Sequence, residues 1–306
     1  MKRREFIALL GGAATAWPLA AGAQQGERMR RIGVLMTLAE RDREGQAFAA
    51  AFQEGLQKLG WTEGRNSRID FRRAKPDTES IQQFAKELVA LHPDLILSAN
   101  TPTTVALLQQ THTIPIIFAN VSDPVGDGVV ASLSRPGGNF TGFSNLEPTM
   151  AGKWLELLKE IAPGVAKVVA IFNPAAAPGG GSYFLGSLKA AAASIGVDAI
   201  TIPVRDPSEF ESVLAAQARE PNGGLIVMSD AFMVNHRAEI TSLAARHRLP
   251  AVYPFRVFAE AGGLLSYGSD LAGDQPQDRQ SAGPRCAFAA PAARRFGDRM
   301  KLANVR

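Results

Sequence analysis

Two aspartates follow the apolar run that ends at Phe118: the segment FANVSDPVGDG, residues 118–128, carries Asp123 and Asp127. A carboxylate at the tip of a buried strand can pair with an ammonium group, and partial loss of water strengthens the pair. Carboxylate pairs also serve hydrolases, but two acids four apart in a turn give that reading little specificity. Both acids can equally cap a helix over VVASL, residues 129–133.

Three other segments carry comparable chemistry. In Asn100-Thr101-Pro102-Thr103, Thr101 suits a helix N-cap and Pro102 a first helical residue. The amides of Thr103 and Thr104 then point outward, ready for a carboxylate or other anion. FNPAAAPGGGSY (172–183) is a glycine-rich turn without the GKS/GKT ending of a P-loop or the spacing of a dinucleotide fingerprint, so no nucleotide cofactor is expected. Its Ser182 and Tyr183 open the next helix and suit contact across a cleft, although the same segment also reads as a mobile surface loop. VMSDAFM places Asp230 and Phe232 at an equivalent tip later in the chain, where Asp230 can meet a ligand or simply cap the next helix, and the ring can cover an apolar or planar ligand group or merely pack. Tyr253 and Phe255 follow a further apolar run.

The four histidines, His92, His112, His236 and His247, lack metal-ligand spacing, so no metal is expected. No G-x-S-x-G elbow is present. Binding without catalysis is the expectation; an exported α/β hydrolase using Asp123 or Asp127 is the alternative.

The elements that must position these residues alternate strand and helix. RRIGVLM (30–36) reads as a strand, 45–59 as a helix stopped by Gly60-Trp61, 67–74 as a strand, and 80–91 as a helix. DLILSAN, TPTTVALLQQ and IPIIFANV continue the alternation. The second half repeats it through KVVAIFNP, SYFLGSLKAAAASIGV, DAITIPV, SEFESVLAAQA, GGLIVMSD, AEITSLAARH and LPAVYPF. DLILSA answers GLIVMS, and GNFTGFSN (138–145) answers GGLLSYGSD (262–270), which predicts a duplication. The fold class expected is α/β: two Rossmann-like lobes with parallel sheets joined by hinge crossings at GFSNLEP and LLSYGSD. Lobe 1 spans 30–146 plus 266–272, lobe 2 spans 147–265, and 273–306 is an irregular tail.

The chain has 306 residues, 46% of them hydrophobic, enough for two lobes of ordinary size. Its formal charge of +4 is unevenly spread: residues 1–23 carry net +2, the tail from Gly273 carries net +4, and the body is left at −2. A mildly acidic body excludes a nucleic-acid footprint. Lys2, Arg3 and Arg4, a short apolar run and Ala21-Gly22-Ala23 before Gln24 form an export signal cleaved after Ala23. Arg3-Arg4 followed by Phe6-Ile7 resembles a twin-arginine signal. The apolar run is too short to span a bilayer, which needs ~20 residues. The lone Cys286 falls in the tail, so neither a lipid anchor near the cleavage site nor an internal disulfide is expected. The expected compartment is the periplasm.

Taken together, SDPVG, RPGGNFTGFSN and EAGGLLSYGSD make the chain closely resemble the ABC-transporter substrate-binding family related to tryptophan/tyrosine uptake proteins, over about residues 30–271. The resemblance implies a type I periplasmic-binding-protein fold with a small-molecule ligand, an amino acid or related compound, held between two lobes. It also implies a permease in the inner membrane as partner, with ATP hydrolysed by a separate subunit. A sensor's ligand-binding subunit needs the same cleft. Thr101, Asp123, Asn173 and Asp230 take the strand-tip ligand positions under this resemblance. The family would continue past Asp270 with a helix and closing segments; here the Pro-, Gly- and Arg-rich tail departs from that pattern. An altered reading frame is the expectation, which sequencing of the locus tests.

Overall fold

The computed structural model describes residues 28–269 and 285–288. The export-signal region and most of the tail lie outside the described residues.

The first lobe runs β1 (Arg30–Met36), α1 (Arg43–Lys58), β2 (Ser67–Arg73), α2 (Thr78–Ala90), β3 (Leu95–Ser98) and α3 (Thr101–Gln110), then β4 (Ile116–Val121) and β5 (Phe140–Ser144). The second opens with α4 (Met150–Ile161), β6 (Lys167–Phe172), a 3-10 turn (Pro178–Gly181), α5 (Ser182–Ile195) and β7 (Asp198–Pro203). It continues through α6 (Glu209–Arg219), β8 (Gly223–Val227), α7 (Ala231–Asn235), α8 (Arg237–Arg246), β9 (Ala251–Tyr253), α9 (Arg256–Glu260) and β10 (Leu265–Gly268). A last strand, β11 (Arg285–Phe288), lies in the tail.

The first sheet has the order β2-β1-β3-β4-β5 and the second β7-β6-β8-β9-β10, with β11 beyond β10. The two five-strand orders correspond strand for strand, and all ten of these strands pair in parallel. The internal repeat seen in sequence therefore reappears as repeated topology. β11 alone is antiparallel.

Alternation along β1 shows how the first core is divided. Leu35 joins Leu88, Ile96, Leu107, Ile116 and Phe118 under α2 and α3, while Ile32 and Val34 pack with Leu97 against Phe48, Phe52 and Leu56 of α1. Gly33 sits on the α2 side, where an added Cβ would press on Ile96 and Leu88. The second lobe has one continuous core built around Trp154, Phe184, Phe210, Phe258 and the apolar residues of β6 and β8. Helix ends follow their signals: Gly60 takes φ 86°, its amide reaches Gln57 and that of Trp61 reaches Leu56, a Schellman closure.

Several expectations are corrected. Asn100, not Thr101, is the N-cap of α3: its extended backbone lets its side chain accept the Thr103 amide, and Thr101 becomes the first helical residue. VVASL forms no helix; residues 122–139 are turns and bends rich in Gly and Pro. Met150–Ile161, unassigned from sequence, is a helix with buried Trp154, Leu155 and Leu158 at helical spacing. Leu265–Gly268 pairs with β9, so these residues belong to the second sheet rather than leading into lobe 1 from Ser266. The tail also holds one strand, whose four residues are too few to show a period.

At β5 the backbone approaches β4 so closely that a Cβ on Gly142 would collide with the Phe118 carbonyl oxygen and ring. Gly142→Ala is expected to cost about 1–3 kcal/mol. Gly55→Ala, on α1 with nothing near its Cβ position, is expected to gain about 0.5–1 kcal/mol. Urea unfolding midpoints of the two variants check both signs.

Candidate functional site

In a doubly wound sheet the strand order reverses at one point, and the loops leaving the two strands there diverge to leave a crevice. In the first sheet that point lies between β1 and β3, in the second between β6 and β8. The residues just past the strand ends are Thr37 and Asn100 in one lobe, Asn173 and Asp230 in the other. Each pair is hydrogen-bonded: Asn100 Nδ2 donates to Thr37 Oγ1 at 2.9 Å, and the Asn173 amide donates to Asp230 Oδ2 at 2.8 Å. The two crevices meet in one cleft.

The inner chamber of this cleft encloses about 60 Å3. The first lobe lines it with Thr37, Glu44, Phe48, Thr101, Asn120 and Ser122, the second with Pro178, Ser229, Asp230, Val234, Asn235 and Phe255. An outer recess of about 720 Å3 shares Thr37, Thr101, Pro102, Ala176 and Ala231 with it, so the two are continuous. Asn173, Phe232, Asp127, Lys75 and Arg205 line the recess.

Local backbone explains several of these placements. The pairing of β4 with β5 shifts register between Phe118 and Val121, and Asn120 takes φ 56°. Such a bulge re-aims side chains at a strand end. Ser122 Oγ then donates to Asn145 Oδ1 at 2.9 Å, tying the β4 tip to the start of the crossing between lobes.

Leu38 of the first lobe packs against the second lobe's core, and among the described residues three polar contacts also join the lobes. Arg237 Nη2 lies 2.6 Å from Asp42 Oδ2, with only 17% of either side chain exposed. Asn235 Nδ2 reaches Thr37 Oγ1 at 3.4 Å. On the far side the Gly179 amide donates to Asp127 Oδ1 at 2.9 Å. Burial pushes the Asp127 carboxyl up, the Gly179 amide opposes this, and neighbouring Asp123 adds to the rise; Asp127 Oδ2 is buried without a hydrogen-bond partner. Tyr183, its hydroxyl pushed up to about 12 by burial, donates to the Leu146 carbonyl at 3.1 Å.

The structure brings Thr101 and Asp230 together in the inner chamber, and Asn173 and Phe232 in the recess. Thr103 lies fully buried behind Asn100. Its amide donates to Asn100 Oδ1, and that of Thr104 to the Asn100 carbonyl, so the amides expected to face a ligand are spent inside the cap. Asp123 accepts the Gly126 amide at 2.8 Å within its own turn, and Ser182 donates to the Gly179 carbonyl at 2.7 Å. Asp123 and Ser182 line neither the inner chamber nor the outer recess. Phe232 packs on Phe210 and His236. Sequence reasoning passed over Thr37, Glu44, Phe48, Asn120 and Asn235; the strand-tip position of Thr37 is the one signal that could have found one of them. Among the described residues no cluster of His, Cys, Asp and Glu could hold a metal.

Residues 34–274 match the model of a family described as ABC transporter substrate binding protein. The chain belongs to this family. A curated relative, the tyrosine-binding protein of Clostridioides difficile (strain R20291), is 28% identical over 219 residues. The aligned part covers 72% of this chain and 62% of that relative, so the chain spans under two thirds of the relative's length. A conserved domain protein from Vibrio cholerae superposes with a TM-score of 0.76 at 25% identity, covering 88% of this chain and 95% of that one. A Streptococcus ABC domain in complex with L-Trp gives 0.76 at 24% identity and the same coverage. The ligand-free, open structure of a Clostridium difficile substrate-binding protein gives 0.59 at 22%, again with the same coverage. Among its described residues this substrate-binding-family chain has no helix long and apolar enough to cross a membrane.

Asp230 caps α7 by accepting the Met233 amide at 2.7 Å. Burial drives its carboxyl up to about 7, against the Asn173, Met233 and Phe232 amides that favour ionisation. In an unfolded chain an aspartate titrates near ~3.9. The folded state therefore binds the extra proton between the two values, and Asp230's contribution to stability falls as pH rises from ~4 to about 7. Asp230→Asn cannot ionise and places an amide against the Asn173 N–H, so it is expected to be less stable but flatter across that window. Urea midpoints of both proteins against pH check this; parallel profiles would contradict it.

Proposed function

We propose that this chain is the exported receptor of an ABC importer: it captures a small solute, an amino acid or related compound, between its lobes. It hands the solute to an inner-membrane permease driven by a separate ATPase subunit. The observation that carries the proposal is the single cleft formed by both switch points and lined from both lobes. A ligand shifts an open–closed equilibrium only if it contacts the closed state better than the open one, which requires groups from both sides. The Asp42–Arg237 and Asp127–Gly179 contacts bring those groups together. The better superposition on the L-Trp complex than on the open, ligand-free relative supports the same arrangement.

The amino-acid class is supported by the mixture in the chamber: apolar and aromatic walls with a few amide, hydroxyl and carboxylate groups. Names of the relatives, one tyrosine-binding and one in complex with L-Trp, favour it too. In this reading Thr101 and Asp230 border the ligand's polar end, and Phe232 and Asn173 border the recess. Residues 1–23 direct export, in the twin-arginine style, and the mature protein works in the periplasm. The hydrolase alternative loses support because Asp123 and Asp127 each give an oxygen to a backbone amide, at Gly126 and Gly179.

Calorimetry of the mature chain with the common L-amino acids and their amines is the test. At least one should bind with a micromolar or lower Kd, about −8 kcal/mol or better. A folded protein that takes up none of them contradicts the amino-acid class.

A further inference from the structure

We infer that the Thr37 hydroxyl donates to the ligand's carboxylate, and that this carboxylate sits where the inner chamber meets the outer recess, held by neutral donors. The inference deepens the capture reading above and rests on it.

Thr37 follows β1 and is 3% exposed. Its Oγ1 accepts from Asn100 Nδ2 at 2.9 Å and from Asn235 Nδ2 at 3.4 Å. A hydroxyl carries two acceptor lone pairs and one proton, so with both pairs engaged it meets a ligand only as a donor. Among the described residues nothing accepts that proton, and a buried donor left unmet is costly. The Asn235 bond comes from the other lobe, so shutting the cleft fixes the direction of the proton. Closure and recognition thus share one atom.

The groups around it ask for the same ligand chemistry. Thr37 and Thr101 line both the inner chamber and the outer recess, which places them at the junction. Thr101 opens the ten-residue α3, and neither its amide nor its hydroxyl is spent among the described residues. The N-terminal end of a helix favours an anion. Asn145 and Ser229 line the inner chamber from the crossing and from the second lobe. Asn145 uses its Oδ1 on Ser122 and keeps an amide nitrogen that can only donate. The Ser229 hydroxyl, 4% exposed, has no partner among the described residues. An acceptor with several lone pairs meets these donors best, and a carboxylate is that group.

Charge and size decide its position. The chamber's acids, Glu44 and Asp230, line its inner part and not the recess, so an anion is placed better at the junction than deeper in. Among the described residues no Lys, Arg or His lines the inner chamber. Lys75 and Arg205 line the recess alone and are exposed; they attract an anion toward the mouth without fixing where it rests. About 60 Å3 accommodates a compact head group, whereas the recess of about 720 Å3 has room for a side chain.

The test is calorimetry on the full mature chain with L-tyrosine, L-tryptophan and their decarboxylated amines, tyramine and tryptamine. The wild type is expected to prefer the amino acids over the amines by at least about tenfold. Thr37→Val should lose about 10- to 100-fold for the amino acids, the worth of a hydrogen bond to a charged group, while its affinity for the amines stays unchanged. Thr37→Ser, which keeps the hydroxyl, should retain the preference. Thr37→Val also removes the bonds to Asn100 and Asn235, so a merely structural role would weaken amino acids and amines equally and overturn the inference. So would a Thr37→Val protein that binds the amino acids like wild type, or a wild type that takes the amines equally well. If Thr37→Val does not fold, the wild-type comparison and Thr101→Val decide. Thr101→Val loses a junction hydroxyl without a protein partner; it should weaken the amino acids by at least about threefold and spare the amines, and unchanged affinities would overturn the inference. A wild type that binds none of the four compounds fails the capture reading itself, which is a different result from taking amino acids and amines alike.

Discussion

Asp42 divides its carboxylate between two lobes. One oxygen holds the first turn of α1 by accepting the Glu44 and Gly45 amides, and the other meets Arg237 across the cleft at 2.6 Å. An exposed ion pair contributes roughly 0–1 kcal/mol, but here both partners are largely shielded and water competes less. The same residue thus sets where α1 begins and which surface its first turn faces. Gly45 belongs to this constraint: a Cβ there would press on Leu38 and the Ala39 carbonyl. With the Asp127–Gly179 contact on the opposite flank, the cleft is bracketed at two separated points.

The duplicated topology explains why the contacts occur where they do. Each sheet leaves a capping side chain at its switch point, Asn100 before α3 and Asp230 before α7, and both accept the third amide of the helix that follows. The two lobes differ in chemistry at this point. The first lobe answers with a neutral amide linked to Thr37, the second with a buried acid linked to the backbone of Asn173. The chamber consequently receives an amide-linked hydroxyl from one wall and a carboxylate bound to backbone amides from the other.

Much of the fold was legible because its causes are local. Strand runs, the Gly60-Trp61 closure, the helix over 101–110 and the two matched halves all follow from residues within a turn or two of each other. The site was less legible because its members are distant. Asp42 and Arg237 lie 195 positions apart, and nothing in REGQAFAAAF separates Glu44 from an ordinary solvated helix acid. Asp123 drew attention as a strand-tip acid, yet its oxygen closes a turn on Gly126, a bond that depends on the backbone path after the β4 bulge. The allegiance of Leu265–Gly268 was likewise a matter of pairing: its apolar pattern fits a crossing or an added strand, and β9 supplies the partner.

The central claim is that the two lobes close over a solute and that Asp42–Arg237 helps hold them shut. The direct measurement is the distance between spin labels on α1 and α5, at Glu54→Cys and Lys189→Cys in a Cys286→Ser background. Saturating the protein with its tightest amino acid should shift the distribution to a shorter, narrower distance, and adding Arg237→Ala should broaden the ligand-free distribution. Distributions that do not change with ligand in a protein shown to bind it would contradict the account.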